Sequence, residues 1–141
     1  MPSKSSASKK KMTRSEQRDL DTKIDFIEGI VRRDPNYVDA LQILGDHYTQ
    51  RGRFVEGLHV DEKLARLEPE NPLVFYNLAC SYSLTDEFER AALALEKALV
   101  LGYRDFAWLA KDPDLKKLRT HHVYDEIKGK IRQLKSNSKS R

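Results

Sequence analysis

The stretch LQILGDHYTQRGRF, Leu41 to Phe54, returns 34 positions later as FYNLACSYSLTDEF, Phe75 to Phe88. Leu41 aligns with Phe75, Leu44 with Leu78, Gly45 with Ala79, Tyr48 with Tyr82 and Phe54 with Phe88. Glu62 and Lys63 recur as Glu96 and Lys97, Leu67 as Leu101, and the small Gly57 as Ala91. A period of this length limits the fold severely. Each unit is one supersecondary element that cannot bury its apolar face alone, so neighbouring units stack.

Two full units follow, residues 38–71 and 72–105. Leu41, Leu44 and Tyr48 fall at i, i+3 and i+7, which predicts one face of a helix. Gly52 breaks it, and Phe54 to Leu67 reads as a second helix with Leu58, Leu64 and Leu67 as apolar positions. Pro69 ends that helix, because proline cannot continue one and restricts the residue before it. In the second unit Phe75, Leu78, Ala79 and Tyr82 line the first helix, and Ala91, Leu95, Ala98 and Leu101 the second. Asp86, at the turn, is expected to cap the second helix. Gly45 or Ala79, facing Gly57 or Ala91, lets the two helices of a unit approach closely.

The order aromatic, Leu-Gly, Tyr, Ala, aromatic, Ala, Pro resembles the tetratricopeptide repeat. The match covers residues 38–105 and extends backward in part, since Asp34-Pro35-Asn36 lies 34 residues before Glu68-Pro69-Glu70. The resemblance implies an all-α, right-handed solenoid of stacked antiparallel helix pairs over residues 19–135. Residues 19–34 are then a leading helix with Ile24, Ile27, Ile30 and Val31 on its apolar face, and residues 106–135 a C-terminal cap. Three positions depart from the pattern: Leu41 replaces the usual Trp, Asp61 stands for an aromatic, and Tyr103 for the terminal Pro, which suggests the array is ending. In the cap, a short helix is expected near Phe106–Lys111. Asp112 caps a second one with Pro113 at its first position. A last helix follows over about His122–Leu134, with Val123, Ile127, Ile131 and Leu134 inward. Trp108 and Leu109 are expected to pack in this cap.

Net charge is +4 over 141 residues, but it is unevenly spread. Residues 1–18 carry six Lys/Arg and one Glu, and residues 128–141 six Lys/Arg and no acid. The stretch between them is therefore acidic. The ends at 1–18 and 136–141 read as basic, disordered tails. The single Cys80 cannot form an internal disulfide, which fits a reducing compartment. There is no apolar run of transmembrane length, and the basic N-terminus lacks the apolar stretch of a secretory signal. The expectation is a cytoplasmic protein that does not engage a membrane.

Little in the sequence points to catalysis. His121 and Asp125 share an i, i+4 spacing, but no Cys cluster or HExxH joins them, so neither a metal nor any other cofactor is expected. The glycines stand singly and form no phosphate-binding loop. Cys80 sits on a repeat helix and reads as a small inert residue. The carboxylates have the spacing of solvated helix faces. The expectation is a non-enzyme.

Binding is the natural work of such arrays, which line a concave surface with the first helix of each unit. In unit one the residues turned away from the Leu41–Leu44–Tyr48 side are Asp39, Gln42, Asp46 and Gln50. In unit two they are Leu73, Tyr76, Asn77, Cys80 and Ser83. Phe75 is expected in the core and its neighbour Tyr76 in the groove, since adjacent helical residues lie about 100° apart. A groove acidic at one end and apolar with an amide at the other suits a protein or peptide carrying a basic and a bulky apolar side chain. The chaperone-binding tetratricopeptide domains resemble one another in a clamp for a terminal carboxylate. Only Asn77 matches it, and Asp46 would repel such a ligand. The expected role is an interaction adaptor or scaffold; the alternative is a nucleic-acid or ribosome-associated protein working through its basic tails.

Overall fold

The structure, a computed structural model, describes residues 11–139. Helix α1 (Arg14–Arg33) is fixed at its start by a capping box: Thr13 Oγ1 accepts from the Glu16 amide, and the Glu16 carboxylate accepts from the Thr13 amide at 2.8 Å. Arg32 and Arg33 complete its last turn, where cations suit the helix dipole. Residues 14–18, read from the sequence as part of a tail, are therefore helical, and residues 1–10 lie outside the described residues.

Helices α2 (Val38–Gln50) and α3 (Phe54–Leu67) form the first antiparallel pair, and α4 (Pro72–Leu84) and α5 (Phe88–Val100) the second. Gly57 shows why small residues recur at this point. A Cβ there would lie 3.1 Å from Thr49 Oγ1 and 3.7 Å from the Gly45 carbonyl oxygen. The inter-helix turns also repeat. Gly52 (φ 83°), Asp86 (φ 63°) and Gly102 (φ 115°) hold left-handed or positive-φ backbone. The next amide in each case, of Arg53, Glu87 or Tyr103, donates to a carbonyl five residues back, at 2.8–2.9 Å. Asp86 is thus the residue that reverses the chain, as Gly52 is in unit one, and not the expected N-cap. Glu87 occupies the cap position and makes no side-chain cap. Aspartate bears this conformation better than most non-glycine residues. Asn71 caps α4 by accepting from the Leu73 amide, with Pro72 at the first position.

The core has three connected parts. Leu20 and Ile24 of α1 meet Leu44 and Tyr48 of α2. Leu41, Leu64 and Val74 join α2, α3 and α4. The largest cluster holds Tyr76, Ala79 and Cys80 of α4 and Ala91, Leu95, Ala98 and Leu99 of α5, together with Leu109, Leu115, Leu118 and Ile127 of the closing segment. That segment runs through α6 (Phe106–Leu109), a 3-10 turn (Pro113–Leu115), α7 (Lys116–Arg119) and α8 (Tyr124–Lys139). Asp112 accepts from the Asp114 amide with Pro113 following it. Helix α8 runs on to Lys139, so residues 136–139, also read as tail, are helical in this structure. His121 and His122 precede α8; their rings stack at 4.4 Å and His121 faces Phe88.

The unexpected Asp61 has a physical role. It is 2% exposed and accepts from Ser81 Oγ on α4, tying α3 to the next unit through a buried polar pair. Leu95 holds the equivalent position in unit two.

Candidate partner-binding face

The first helices α2 and α4 occupy equivalent places but differ in what covers them. On α2, Asp39, Gln42 and Ile43 are exposed, and Asp46 is half-buried. On α4, only Leu73 is exposed and Asn77 half-exposed, at the helix start and middle. Tyr76 and Cys80, expected in the groove, are 1% and 0% exposed. The expected division between Phe75 and Tyr76 is reversed. Phe75 is half-buried beside Leu78, Tyr82 and Leu93, lining an open depression of about 370 Å³, while Tyr76 is sealed.

The closing segment is the reason. The 3-10 turn and α7 lie against α4. Tyr76 stacks on Tyr103 with ring centroids 4.2 Å apart and planes within 12°. Its hydroxyl donates to Asp112 Oδ2 at 2.6 Å, and the Cys80 thiol donates to the same oxygen at 3.7 Å. Asp112 Oδ1 takes the Asp114 amide, and Arg119 donates to the carbonyl of Asp112 at 2.7 Å and of Leu109 at 3.0 Å. The buried carboxylate is thus met by three donors, which is how a buried charge is tolerated. Burial, followed by the nearby Cys80 and Asp112, drives the Tyr76 hydroxyl far above its usual range, so it stays protonated and a donor. Tyr103, at the position of the terminal Pro, is held neutral mainly by burial. Outside, Lys117 pairs with Asp86 at 3.1 Å.

The ligand-type atoms of Cys80, Asp112 and Asp114 lie within 4.8 Å of one another, all buried. With its oxygens already engaged by Tyr76, Cys80 and the Asp114 amide, Asp112 works as a latch that holds the closing segment down. Two signals for it stand in the sequence: Asp112 ahead of Pro113, and an unusual Tyr at 103. Nothing local showed that both meet Tyr76, which is 36 residues from Asp112.

Helices α1 and α2 are joined differently. Tyr48 donates to Glu28, Arg53 lies over the Tyr48 ring at 4.8 Å, and Arg51 pairs with Asp21 at 2.8 Å. Burial and the Glu28 carboxylate together raise the Tyr48 hydroxyl above its usual range. The Arg53 guanidinium on Glu56 lowers that carboxyl.

No family model matches the chain. Among curated proteins it is 34% identical over 86 residues to a chloroplastic protein of Arabidopsis thaliana, covering 59% of this chain and 26% of that one. It is 37% identical over 91 residues to the peroxisomal targeting signal receptor of Komagataella phaffii, covering 62% of this chain and 16% of the receptor. The Candida albicans receptor is 39% identical over 77 residues, 54% of this chain and 13% of its own. The chain thus matches about a quarter or less of these relatives' length. The crystal structure of MamA superposes with a TM-score of 0.60 at 24% identity, over 86% of this chain and 68% of that one. The fold is an α-solenoid of tetratricopeptide type. In this chain the stacked helix pairs of that fold are followed by an atypical C-terminal closing segment. Among the described residues no helix is long and apolar enough to cross a membrane. One relative is described as chloroplastic and others as peroxisomal targeting receptors, so the relatives do not bear out a cytoplasmic location.

Proposed function

We propose that this protein is a non-catalytic adaptor holding a protein or peptide on the open part of its first-helix face. The surface comprises Asp39, Gln42 and Asp46 of α2 with Leu73 and Asn77 of α4. The observation that carries this reading is the contrast in cover: Gln42 is exposed and Asp46 half-buried on α2, whereas the equivalent α4 residues, Tyr76 and Cys80, are closed over by the chain itself. The partner offers a Lys or Arg to Asp39 and Asp46 and one bulky apolar side chain to Leu73. The targeting-signal receptors among the relatives support a binding role by their name. A catalytic role is disfavoured at Cys80 and Asp112, because both are 0% exposed, where a substrate does not reach.

Binding of fluorescent peptides that combine Lys or Arg with Leu or Phe tests the reading. Asp39→Lys and Leu73→Ser should each weaken the best peptide by about tenfold while the melting curve stays put. If neither moves affinity, the α2 face is not the site. The tail-based alternative has its own signature: binding that falls steeply with salt and ignores both substitutions.

A further inference from the structure

Helix α1 packs on α2 as the second helix of a preceding pair would. Its inner side, Leu20 and Ile24, packs on α2. Its other side is open: Phe26 is 68% exposed, and with Asp25, Gly29, Ile30, Arg32 and Arg33 it lines a groove of about 450 Å³. Gly29 is not required by packing within the chain, since a Cβ there would meet only the Arg32 guanidinium, at 3.7 Å.

We propose that this face pairs with its own copy on a second protomer, α1 against α1 and antiparallel, about a two-fold axis near Gly29. The pattern is self-complementary around that residue. An antiparallel two-fold pair sets the residue four before Gly29 against the residue four after it. Asp25 then meets Arg33 of the second copy, and the reverse pair forms as well. Three positions out, Phe26 meets Arg32 of the second copy, a guanidinium over an aromatic ring. Among the described residues Asp25, Arg32 and Arg33 form no ion pair within the chain, so all three are available. Gly29 at the crossing lets the helix axes approach, and Phe26 and Ile30 lose their exposed surface.

Sedimentation equilibrium of the full chain over micromolar to millimolar concentration tests this, with circular dichroism as the check that each variant is folded. The parent should show a concentration-dependent monomer–dimer equilibrium. Asp25→Arg alone sets Arg against Arg at both ends of the pair, and Arg33→Asp alone sets Asp against Asp. Each should weaken self-association by at least about tenfold. Mixing these two variants should restore a dimer, because every opposed pair is again of opposite sign. The doubly swapped chain, Asp25→Arg with Arg33→Asp, should dimerise like the parent. A parent that stays monomeric throughout overturns the proposal. So do single swaps that leave the dimer intact, or a mixture and double swap that both stay monomeric while folded.

Discussion

Helices α2 and α4 carry the same repeat position by position, yet one leaves its outward row open and the other has two of the equivalent positions sealed. Gln42 and Asp46 on α2 align with Tyr76 and Cys80 on α4. The first pair is exposed or half-buried, and the second pair is sealed under Asp112, Leu115 and Leu118. The repeat sets a side chain's direction, while its neighbour sets whether that direction leads to solvent. A polar pair suits the open copy. An aromatic with a hydroxyl and a small thiol suit the covered one, where the hydroxyl must find an acceptor.

Truncating the equivalent residues separates the two helices most strongly. Tyr76→Ala should cost about 3–5 kcal/mol, as deletion of a buried aromatic does, whereas Gln42→Ala should stay within about 0.5 kcal/mol. Urea unfolding of the two variants reads the gap. Equal midpoints would mean the closing segment does not depend on α4.

A smaller loss is expected on cutting the latch. Asp112→Ala leaves the Tyr76 hydroxyl and the Asp114 amide without their acceptor, at a cost of about 1–3 kcal/mol. Amide exchange should then speed up over residues 113–118 before it does over α2 and α3. Uniform acceleration instead would show that the segment is one cooperative unit with the repeats.

The Asp61–Ser81 pair gives a parallel test inside the array. Ser81→Ala removes a donor from a buried carboxylate and should cost about 1–3 kcal/mol. Asp61→Leu with Ser81→Ala, which imitates Leu95 in unit two, should recover most of it. A double-mutant cycle by denaturant titration measures the recovery.

The smallest effect is one of pH and belongs to α2 alone, because His47 aligns with Ser81. Burial, then the charge of Lys23, lowers the His47 pKa from its ordinary 6.5. The unfolded chain therefore takes up a proton more readily than the folded one. The contribution is intact above pH 6.5 and is lost as pH falls from there through the lowered folded value. His47→Gln should flatten the fall in melting temperature over that window. An unchanged slope would assign the fall to carboxylates.

Much of the fold was legible because its causes are local. Leu44 and Tyr48 at helical spacing, Gly57 at a close contact, Gly52 at a reversal and Asp112-Pro113 at a helix start each act within a few residues of themselves. The 34-residue period did the rest, since similar faces repeated along a chain can bury themselves only by stacking. Even the reversal at Asp86 lay within reach, as that residue aligns with Gly52.

Of the residues expected in the groove, Asp39, Gln42 and Leu73 are exposed as their helix positions suggested, and Tyr76 and Cys80 are not. Helical periodicity alone places Tyr76 and Cys80 on the same side of α4 as Leu73, because it fixes direction. That Tyr76 and Cys80 are core while Leu73 is surface was settled by packing between distant segments. It depends on residues 112–118 returning across the helix, and on a Tyr76–Asp112 hydrogen bond spanning 36 residues. Burial is a property of what lies above a side chain, and no periodicity within a segment encodes where a distant segment comes to rest.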